Sequence, residues 1–288
     1  MTTIAERSET SDFAAEIHVY EPHKVGLPPL RSYLRQLWRR REFAFELART
    51  DLVSKHYNTA LGQLWLILNP LFLGLVYFAL VQIIGRRGGT LAGLAYLLLG
   101  LFTFRLVSKS ISQGAKSVVG GGRLILNTAF PRSLLPLSSV LTSFMLFLPT
   151  LAVYAVVHVV AGLPITPQIL WGIPIIALMV VFAAGMAMLV SAVQVYFRDL
   201  AAFLRYMLRI WLYASPVLWV AAQVPDKYEP LLYANPLYPP LTALSDAVNL
   251  GRTPPGHLIA LTLAWAVGAF VVGGLFFISR EREFAVRL

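Results

Sequence analysis

Cysteine is absent from this 288-residue chain. A protein without cysteine has no disulfide framework, no thiolate nucleophile and no Cys-ligated metal. The histidines do not follow the spacing of metal ligands either; they are His18, His23, His56, His158 and His257. We therefore expect no metal site and no cysteine chemistry in this chain.

Charged residues and phosphate-binding motifs are also scarce. Only 13% of the residues are charged, and the six Asp and Glu residues beyond position 60 form no pair suited to glycosyl transfer. The chain has no G-x-x-x-x-G-K-[ST] phosphate loop, and the stretch GAKS at 114–117 lacks its spacing. Catalytic residues are thus not apparent, and any ATP hydrolysis must come from another protein.

Long apolar runs dominate the sequence instead. Hydrophobic residues make up 57% of the chain, and about 20 apolar residues let a helix cross the roughly 30 Å hydrocarbon layer. The runs predict an all-α integral membrane protein with six transmembrane helices at residues 64–84, 91–111, 134–160, 169–197, 201–224 and 258–278. We interpret residues 1–29 as a polar N-terminal extension and residues 30–288 as one transmembrane domain.

The distribution of basic residues predicts the orientation. With six spans both termini share a side, and placing them in the cytoplasm puts 19 of the 24 Lys and Arg residues inside and four outside. Cytoplasmic segments of membrane proteins carry such an excess. The net charge of +10 therefore fits anionic lipid headgroups better than nucleic acid, and we expect no nucleic-acid partner.

An amphipathic helix is predicted ahead of the first span, from Leu30 to Tyr57. Leucines and aromatic residues recur at helical spacing on one face and arginines on another, with Trp38 as an interfacial anchor. This pattern fits a passive lipid anchor as well as a moving part. Pro70 then interrupts the first span and predicts a kink, which is either static or the site of a lateral opening.

Two cytoplasmic stretches have further features. GGGRLILNTAFPR, at 120–132, begins with three glycines that let the chain leave a helix and continues as a short apolar ridge; an ordinary turn is the alternative. In YFRDL, Asp199 is expected to cap the helix that follows, since a carboxylate accepts hydrogen bonds from the first backbone amides of a helix.

Five stretches, in order, resemble the ABC-2 type permease subunits of ABC transporters that export polysaccharides such as O-antigen, teichoic acid and cell-wall galactan. They are DLVSKHYNTALGQLWLILNPL, LILNTAFPRSLLPLSSVL, YFRDLAAFL, SPVLW and NPLYP, and they cover the chain from about Leu30 onward. The resemblance implies a six-span half-transporter with short re-entrant helices before the last span. It also implies a homodimer paired with two copies of an ATPase subunit, which binds the ATP and Mg, so that this chain itself holds no cofactor.

The resemblance also implies roles for two segments. The surface helix corresponds to a gate helix that touches the ATPase, with Arg31, Arg35, Trp38, Arg39, Arg49, Asp51, Lys55 and Tyr57 as its candidate residues. The loop between spans two and three corresponds to an ATPase-coupling segment, with candidates Gly120, Gly121, Gly122, Arg123, Leu124, Ile125, Leu126, Phe130, Pro131 and Arg132.

Four residues are candidates for a substrate path: Arg105, Tyr228, Tyr233 and Tyr238. A central arginine in a span costs about 2.5–3.5 kcal/mol on insertion scales. Arg105 therefore either lines a hydrated or anionic path or projects into the cytosol together with Lys109 and Lys116. The tyrosines lie in the loop before the last span, where they either stack on sugar rings or form an interfacial aromatic belt.

We thus expect a permease that exports lipid-linked polysaccharide across the bacterial inner membrane, with cell-wall galactan or an O-antigen-like glycan as cargo. An ABC exporter of another amphiphile, such as a lipid or a drug, is the alternative within transport. A membrane glycosyltransferase is the alternative outside transport, and it lacks candidate carboxylates in this sequence.

Overall fold

The computed structural model describes residues 29–54, 62–84, 90–220 and 224–287, and within these ranges it contains helices and turns but no strand. The helices are α1 (Leu30–Arg39), α2 (Arg41–Ser54), α3 (Trp65–Ile84), α4 (Leu91–Gly120), α5 (Gly122–Asn127), α6 (Leu134–Val160), α7 (Gly172–Tyr196), α8 (Leu200–Ala214), α9 (Glu229–Tyr233), α10 (Tyr238–Val248), α11 (Gly256–Arg280) and α12 (Phe284–Arg287). Short 3₁₀ turns occur at Gly62–Leu64, Pro167–Trp171, Asp226–Tyr228 and Glu281–Glu283. The all-α prediction is confirmed for these residues.

Four helical segments in the described part of the chain are long and apolar enough to cross a membrane. They are Leu91–Gly120, Leu134–Val160, Pro167–Tyr196 and Gly256–Arg287, which contain α4, α6, α7 and α11. These segments match the second, third, fourth and sixth predicted spans. The chain is therefore a multi-pass membrane protein, and the count of six spans stays a prediction.

The first and fifth predicted spans are less regular. α3 has 20 residues and contains Pro70. α8 has only 15 residues and ends at Ala214, because the backbone of Ser215 is extended (φ −101°, ψ 151°) and Pro216 follows it. A proline lacks an amide proton and disfavours helical backbone in the residue before it. The prediction of one helix across residues 201–224 is therefore wrong in length.

The core of the bundle is built by helices that approach each other closely. α4 packs against α6 and α7, and α7 packs against α11. A Cβ atom added to Gly114 of α4 would lie 2.6 Å from the Cβ of Ala187, and one added to Gly273 of α11 would lie 2.0 Å from the carbonyl oxygen of Gly185. Small residues allow such backbone contact between membrane helices, so α7 is held between α4 and α11 at glycine positions.

Two helices occupy the range of the predicted amphipathic helix, and its place at a membrane surface stays a prediction. α1 ends at Arg39 and α2 begins at Arg41, with non-helical backbone at Arg40 (φ −101°, ψ 19°). α2 packs on α6, where Ala48 is buried and its carbonyl oxygen accepts a 3.4 Å hydrogen bond from Thr142. The end of the predicted helix, including the candidate residues Lys55 and Tyr57, lies outside the described residues.

Asp199 stands at the N-terminus of α8 as predicted, but its side chain makes no capping hydrogen bond. Its backbone is helical (φ −79°, ψ −9°), whereas a capping residue usually has extended backbone that turns its side chain toward the first amides. The backbone carbonyl of Asp199 accepts the bonds from Ala202 and Phe203 instead, at 3.0 and 3.2 Å. The prediction of a carboxylate cap is wrong.

Short helices precede α11, as the family resemblance implied. α9 has five residues and α10 has 11, and α10 packs against α7 and α11. Their re-entrant position in a membrane remains a prediction.

Candidate coupling site and substrate path

Four residues join three segments that are distant in the sequence: Tyr33 of α1, Arg132 and Ser133 before α6, and Glu281 after α11. We call them the clasp. The hydroxyl oxygen of Tyr33 lies 2.6 Å from Glu281 Oε2 and 2.8 Å from Ser133 Oγ. The backbone amide of Arg132 donates to Glu281 Oε1 at 2.5 Å, and its guanidinium donates to the carbonyl oxygen of Glu281. One glutamate therefore ties the surface helix to the loop before α6.

The electrostatics of the clasp decide which group donates. Burial raises the pKa of the Tyr33 hydroxyl, and the neighbouring Glu281 carboxylate raises it further. Tyr33 therefore keeps its single proton and donates it to the carboxylate, so that Ser133 donates to Tyr33. Burial lowers the pKa of Arg132 while Glu281 and Tyr33 oppose that shift, and a guanidinium stays charged in proteins. The clasp thus places a cation, a phenol and an amide around one carboxylate, and charge-assisted bonds of this kind are the stronger ones.

The predicted coupling segment forms α5 and the extended stretch that follows it. Gly121 connects α4 to α5, and a Cβ there would lie 2.9 Å from the Cδ1 of Leu135. α5 buries Ile125 and leaves Leu126 63% exposed. α5 therefore packs on one side and presents an apolar side chain, Leu126, on another, and its coupling role stays a prediction.

The stretch after α5 contacts the surface helix at two more points. The guanidinium of Arg40 donates to the carbonyl oxygen of Ala129. The rings of Phe43 and Phe130 lie 5.2 Å apart between centroids, within the range of favourable aromatic pairs. Together with the clasp, these contacts hold the predicted gate helix and the predicted coupling segment side by side, which the sequence did not show.

The C-terminal tail also packs next to these segments. Phe284 is fully buried, with its ring 5.1 Å from that of Phe277. Glu283 accepts a 2.6 Å hydrogen bond from the Tyr196 hydroxyl, and the Arg287 guanidinium lies 4.4 Å from the centre of the Tyr196 ring. The tail therefore packs against α7 and α5 near the clasp.

A surface depression of about 530 Å³ lies beside the clasp. It is lined by α5, the stretch after it, Tyr33 and the end of α11, including Leu126, Phe130, Arg132 and Glu281. Of the predicted gate-helix residues, Arg31, Arg35, Trp38, Arg39, Arg49 and Asp51 are exposed. A basic surface with an apolar projection and an adjoining depression is therefore available to a partner protein.

The predicted substrate-path residues are not brought together. Arg105 lines a cavity between α3, α4 and α6, and none of the three candidate tyrosines is among the described residues that line it. Tyr238 is buried in the core, and Tyr233 packs between it and His257 with ring centroids 5.6 and 6.0 Å away. Tyr228 is 48% exposed and stacks with Lys227 at 4.7 Å. Only Tyr228 of the three presents much of its ring surface in the single chain.

The NPLYP stretch owes its position to an amide, which sequence reasoning missed. Asn235 Oδ1 accepts from the indole of Trp211 at 2.8 Å and from the amide of Leu237 at 3.1 Å. Its Nδ2 donates to the Ala214 carbonyl at 3.0 Å and to Ser215 Oγ at 3.2 Å. We call these five residues the Asn235 cluster. It joins the end of α8 to the start of α10.

Tyr33 and Glu281 were also missed. The one signal available was an acidic residue directly after an apolar helix in the stretch SRERE, at 279–283. That signal does not name the partners, because they are 149 and 248 residues away.

The family model described as ABC-2 type transporter matches residues 46–248, well over half of the chain. This chain belongs to the ABC-2 type transporter family. The match begins within α2 and runs through α10, so it includes the predicted coupling segment and the Asn235 cluster. The ABC-2 type resemblance expected from the five motifs is confirmed.

Named relatives agree with this assignment. Two proteins of Klebsiella pneumoniae, each called O-antigen export system permease protein RfbA, are 30% and 31% identical over 192 and 195 residues, which is 66% of this chain and 74% of theirs. A protein of the same name from Myxococcus xanthus is 25% identical over 254 residues, covering 88% of this chain and 97% of its own. The ABC-2 family thus places this chain among transport permeases and not among enzymes.

Proposed function

We propose that this ABC-2 permease is the membrane subunit of an ATP-driven exporter of polysaccharide. Membership of the family and the names of the relatives support this. The chain works as a homodimer with two copies of an ATPase subunit, and that partner binds the ATP and Mg. The cargo is a lipid-linked polysaccharide, cell-wall galactan or an O-antigen-like glycan.

The observation that carries the proposal is a pair of contacts: the stretch after α5 touches the surface helix, and α5 itself touches the tail. An ATPase that seats Leu126 and then moves would displace α5 and the stretch after it. Because Arg132 and Ala129 of that stretch bond to Glu281 and Arg40, the displacement reaches α11, α1 and α2. Chains of packed and hydrogen-bonded groups can carry coupling of this kind, and the clasp is such a chain.

The proposed orientation places both termini in the cytoplasm of a bacterial inner membrane. The excess of Lys and Arg on the side of α1, α5 and the tail supports it. Since the chain has no cysteine, single substitutions Lys116→Cys and Lys227→Cys give clean labelling sites. A membrane-impermeant thiol reagent should label the Lys227 variant in intact spheroplasts and the Lys116 variant only after lysis; the reverse pattern would exclude docking of a cytoplasmic ATPase at α5.

The docking role of α5 is tested by Leu126→Asp in a chain co-expressed with the candidate ATPase. We expect at least a tenfold loss of co-purified ATPase with an unchanged melting temperature, because the exposed Leu126 contributes little to the fold. Leu231→Asp is the matched control, since Leu231 of α9 is 72% exposed and lies far from α5 along the chain. Normal ATPase binding by Leu126→Asp would contradict the docking role.

The cargo is tested with the reconstituted complex in proteoliposomes. We expect the ATPase rate to rise with lipid-linked galactan or O-antigen-like glycan and to stay at its basal value with phospholipids or drugs. Stimulation by phospholipids or drugs alone would instead favour the exporter of another amphiphile.

A further inference from the structure

A cavity of about 230 Å³ lies between α3, α4 and α6, away from the clasp. Its polar lining residues come from all three helices; they are Asn69, Arg105, Lys109, Gln113, Ser143 and Thr150. Its apolar lining residues also come from all three helices; they are Trp65, Pro70, Phe102, Leu106, Leu146 and Phe147. A lining that offers both kinds of group suits a ligand that has both a polar head and an apolar chain.

The basic part of the wall comes from one face of α4. Arg105, Lys109 and Gln113 follow one another at intervals of four residues, which places them one above the other on a helix. All three are partly buried, and Gln113 Oε1 has no hydrogen-bond partner among the described groups. No aspartate or glutamate is among the described residues that line the cavity. The head that suits this wall is therefore anionic.

The position of this stripe along α4 points to the level of lipid phosphates. Arg105 follows Leu91 by 14 residues, about 21 Å along the helix, and Lys109 lies about 27 Å from Leu91, near the far edge of a roughly 30 Å hydrocarbon layer. Trp65, the first residue of α3, lines the same cavity, and tryptophans at span ends mark the membrane interface. Long basic side chains at this depth reach the headgroup region.

We propose that this cavity binds the phosphate headgroup of a membrane amphiphile that carries a net negative charge. Arg105 and Lys109 contact the phosphate oxygens, with arginine suited to bidentate contact and lysine acting as a point charge. Phe102, Leu106 and Phe147 line the path of the attached chain. The site is separate from the docking surface at α5 and does not depend on which glycan is exported.

Lipid retention by the full-length chain tests the proposal without the ATPase. The protein is placed in nanodiscs of phosphatidylcholine alone, with added phosphatidylglycerol, or with added polyprenyl diphosphate, and native mass spectrometry counts the lipids that stay bound. We expect one phosphate-bearing anionic lipid to be retained at least tenfold over phosphatidylcholine. Equal retention of phosphatidylcholine would overturn the proposal.

The three lipid compositions identify which lipid supplies the phosphate. Retention in the phosphatidylglycerol arm assigns the cavity to a resident anionic lipid, and retention only in the diphosphate arm assigns it to a carrier lipid. Added inorganic phosphate that displaces the lipid shows that the headgroup alone is recognised. Each of these outcomes supports the site.

Charge variants separate the cavity from general attraction to anionic lipid. Arg105→Gln together with Lys109→Gln should reduce retention at least tenfold, and Arg105→Lys should keep most of it. Lys116→Gln is the matched control, because Lys116 lies on the same helix, is exposed and does not line the cavity. An equal loss in Lys116→Gln, or no loss in the double variant, would remove the proposed site.

A filling variant guards against misfolding of the charge variants. Thr150→Phe adds volume to the cavity and keeps both basic side chains, so it should also lose the retained lipid. Each variant is first checked for the helical content and elution volume of the original protein. A folded Thr150→Phe variant that retains the lipid would contradict a ligand inside the cavity.

Discussion

The Glu281 carboxylate, just after α11, joins partners that are 248 and 149 residues away in the sequence. The Asn235 amide, before α11, joins partners that are only 20 to 24 residues away. The clasp contains a carboxyl group and a guanidinium, and the Asn235 cluster contains neutral groups and an indole. The clasp therefore connects separate parts of the chain, while the cluster shapes one local loop.

This difference predicts different consequences of damage. Loss of a neutral hydrogen-bonded amide leaves buried donors and acceptors without partners, which mainly costs folding free energy. Loss of a charge that links two segments mainly changes how a movement of one segment reaches the other. Mutations in the Asn235 cluster should therefore mainly lower stability, and mutations in the clasp should also lower activity.

The largest effect is expected from Gly273→Val, because this glycine lies where α11 crosses α7 in the core. A Cβ at this position would lie 2.0 Å from the Gly185 carbonyl oxygen, so α11 must shift away from α7. We expect a loss of about 4 kcal/mol or more in the free energy of unfolding, seen as aggregated protein on size-exclusion chromatography. Gly268→Ala is the control, since a Cβ there meets no atom within 4 Å; a normally folded Gly273→Val variant would refute the tight α7–α11 crossing.

Asn235→Ala should give the next largest effect. It removes four hydrogen bonds and leaves the Trp211 indole and the Leu237 amide without their acceptor. We expect a cost of about 2–4 kcal/mol, measured as a lower melting temperature in detergent, with ATPase binding retained. Asn127→Ala is the matched control, because Asn127 is exposed and makes one bond within its own helix. Equal stability of the two variants would show that the cluster does not hold the loop.

Glu281→Gln should lower activity in addition to stability. The amide keeps one acceptor oxygen but loses the charge that faces Arg132, and its NH₂ group confronts a donor, either the Tyr33 hydroxyl or the Arg132 amide. We expect about a tenfold fall in cargo-stimulated ATPase activity, equivalent to about 1.4 kcal/mol. Glu283→Gln is the control, because its ion pairs with Arg280 and Arg287 are exposed and such pairs contribute about 1 kcal/mol or less. The amide also keeps an acceptor oxygen for the Tyr196 hydroxyl. Unchanged stimulation in Glu281→Gln would separate the clasp from coupling.

Tyr228→Ala should have the smallest effect. Its ring is exposed and contacts Lys227, so its removal should leave the melting temperature unchanged. If the ring stacks on sugar, glycan export should fall about threefold, less than the contribution of one full stacking contact. Tyr228→Phe should export normally, because it keeps the ring. Normal export by Tyr228→Ala would assign the residue to an interfacial aromatic belt.

Local properties of the sequence predicted part of this fold. The apolar runs that became α4, α6, α7 and α11 were predicted well, because hydropathy and helical periodicity are local properties. The 201–224 span and the Asp199 cap were predicted less well. In both cases the local backbone conformation, at Ser215 and at Asp199 itself, decided the outcome.

The sequence by itself determined the class of protein, its main spans and its family, since these depend on composition, run length and short ordered motifs. Only the tertiary structure decided that Glu281 meets Tyr33 and Arg132, that Asn235 joins α8 to α10, and that Arg105 and Lys109 face a cavity. The physical reason is that the hydropathy of a helix determines whether it lies in lipid or in water, but not which helices it packs against. Contacts between residues a hundred or more positions apart arise from close packing at positions such as Gly114 and Gly273.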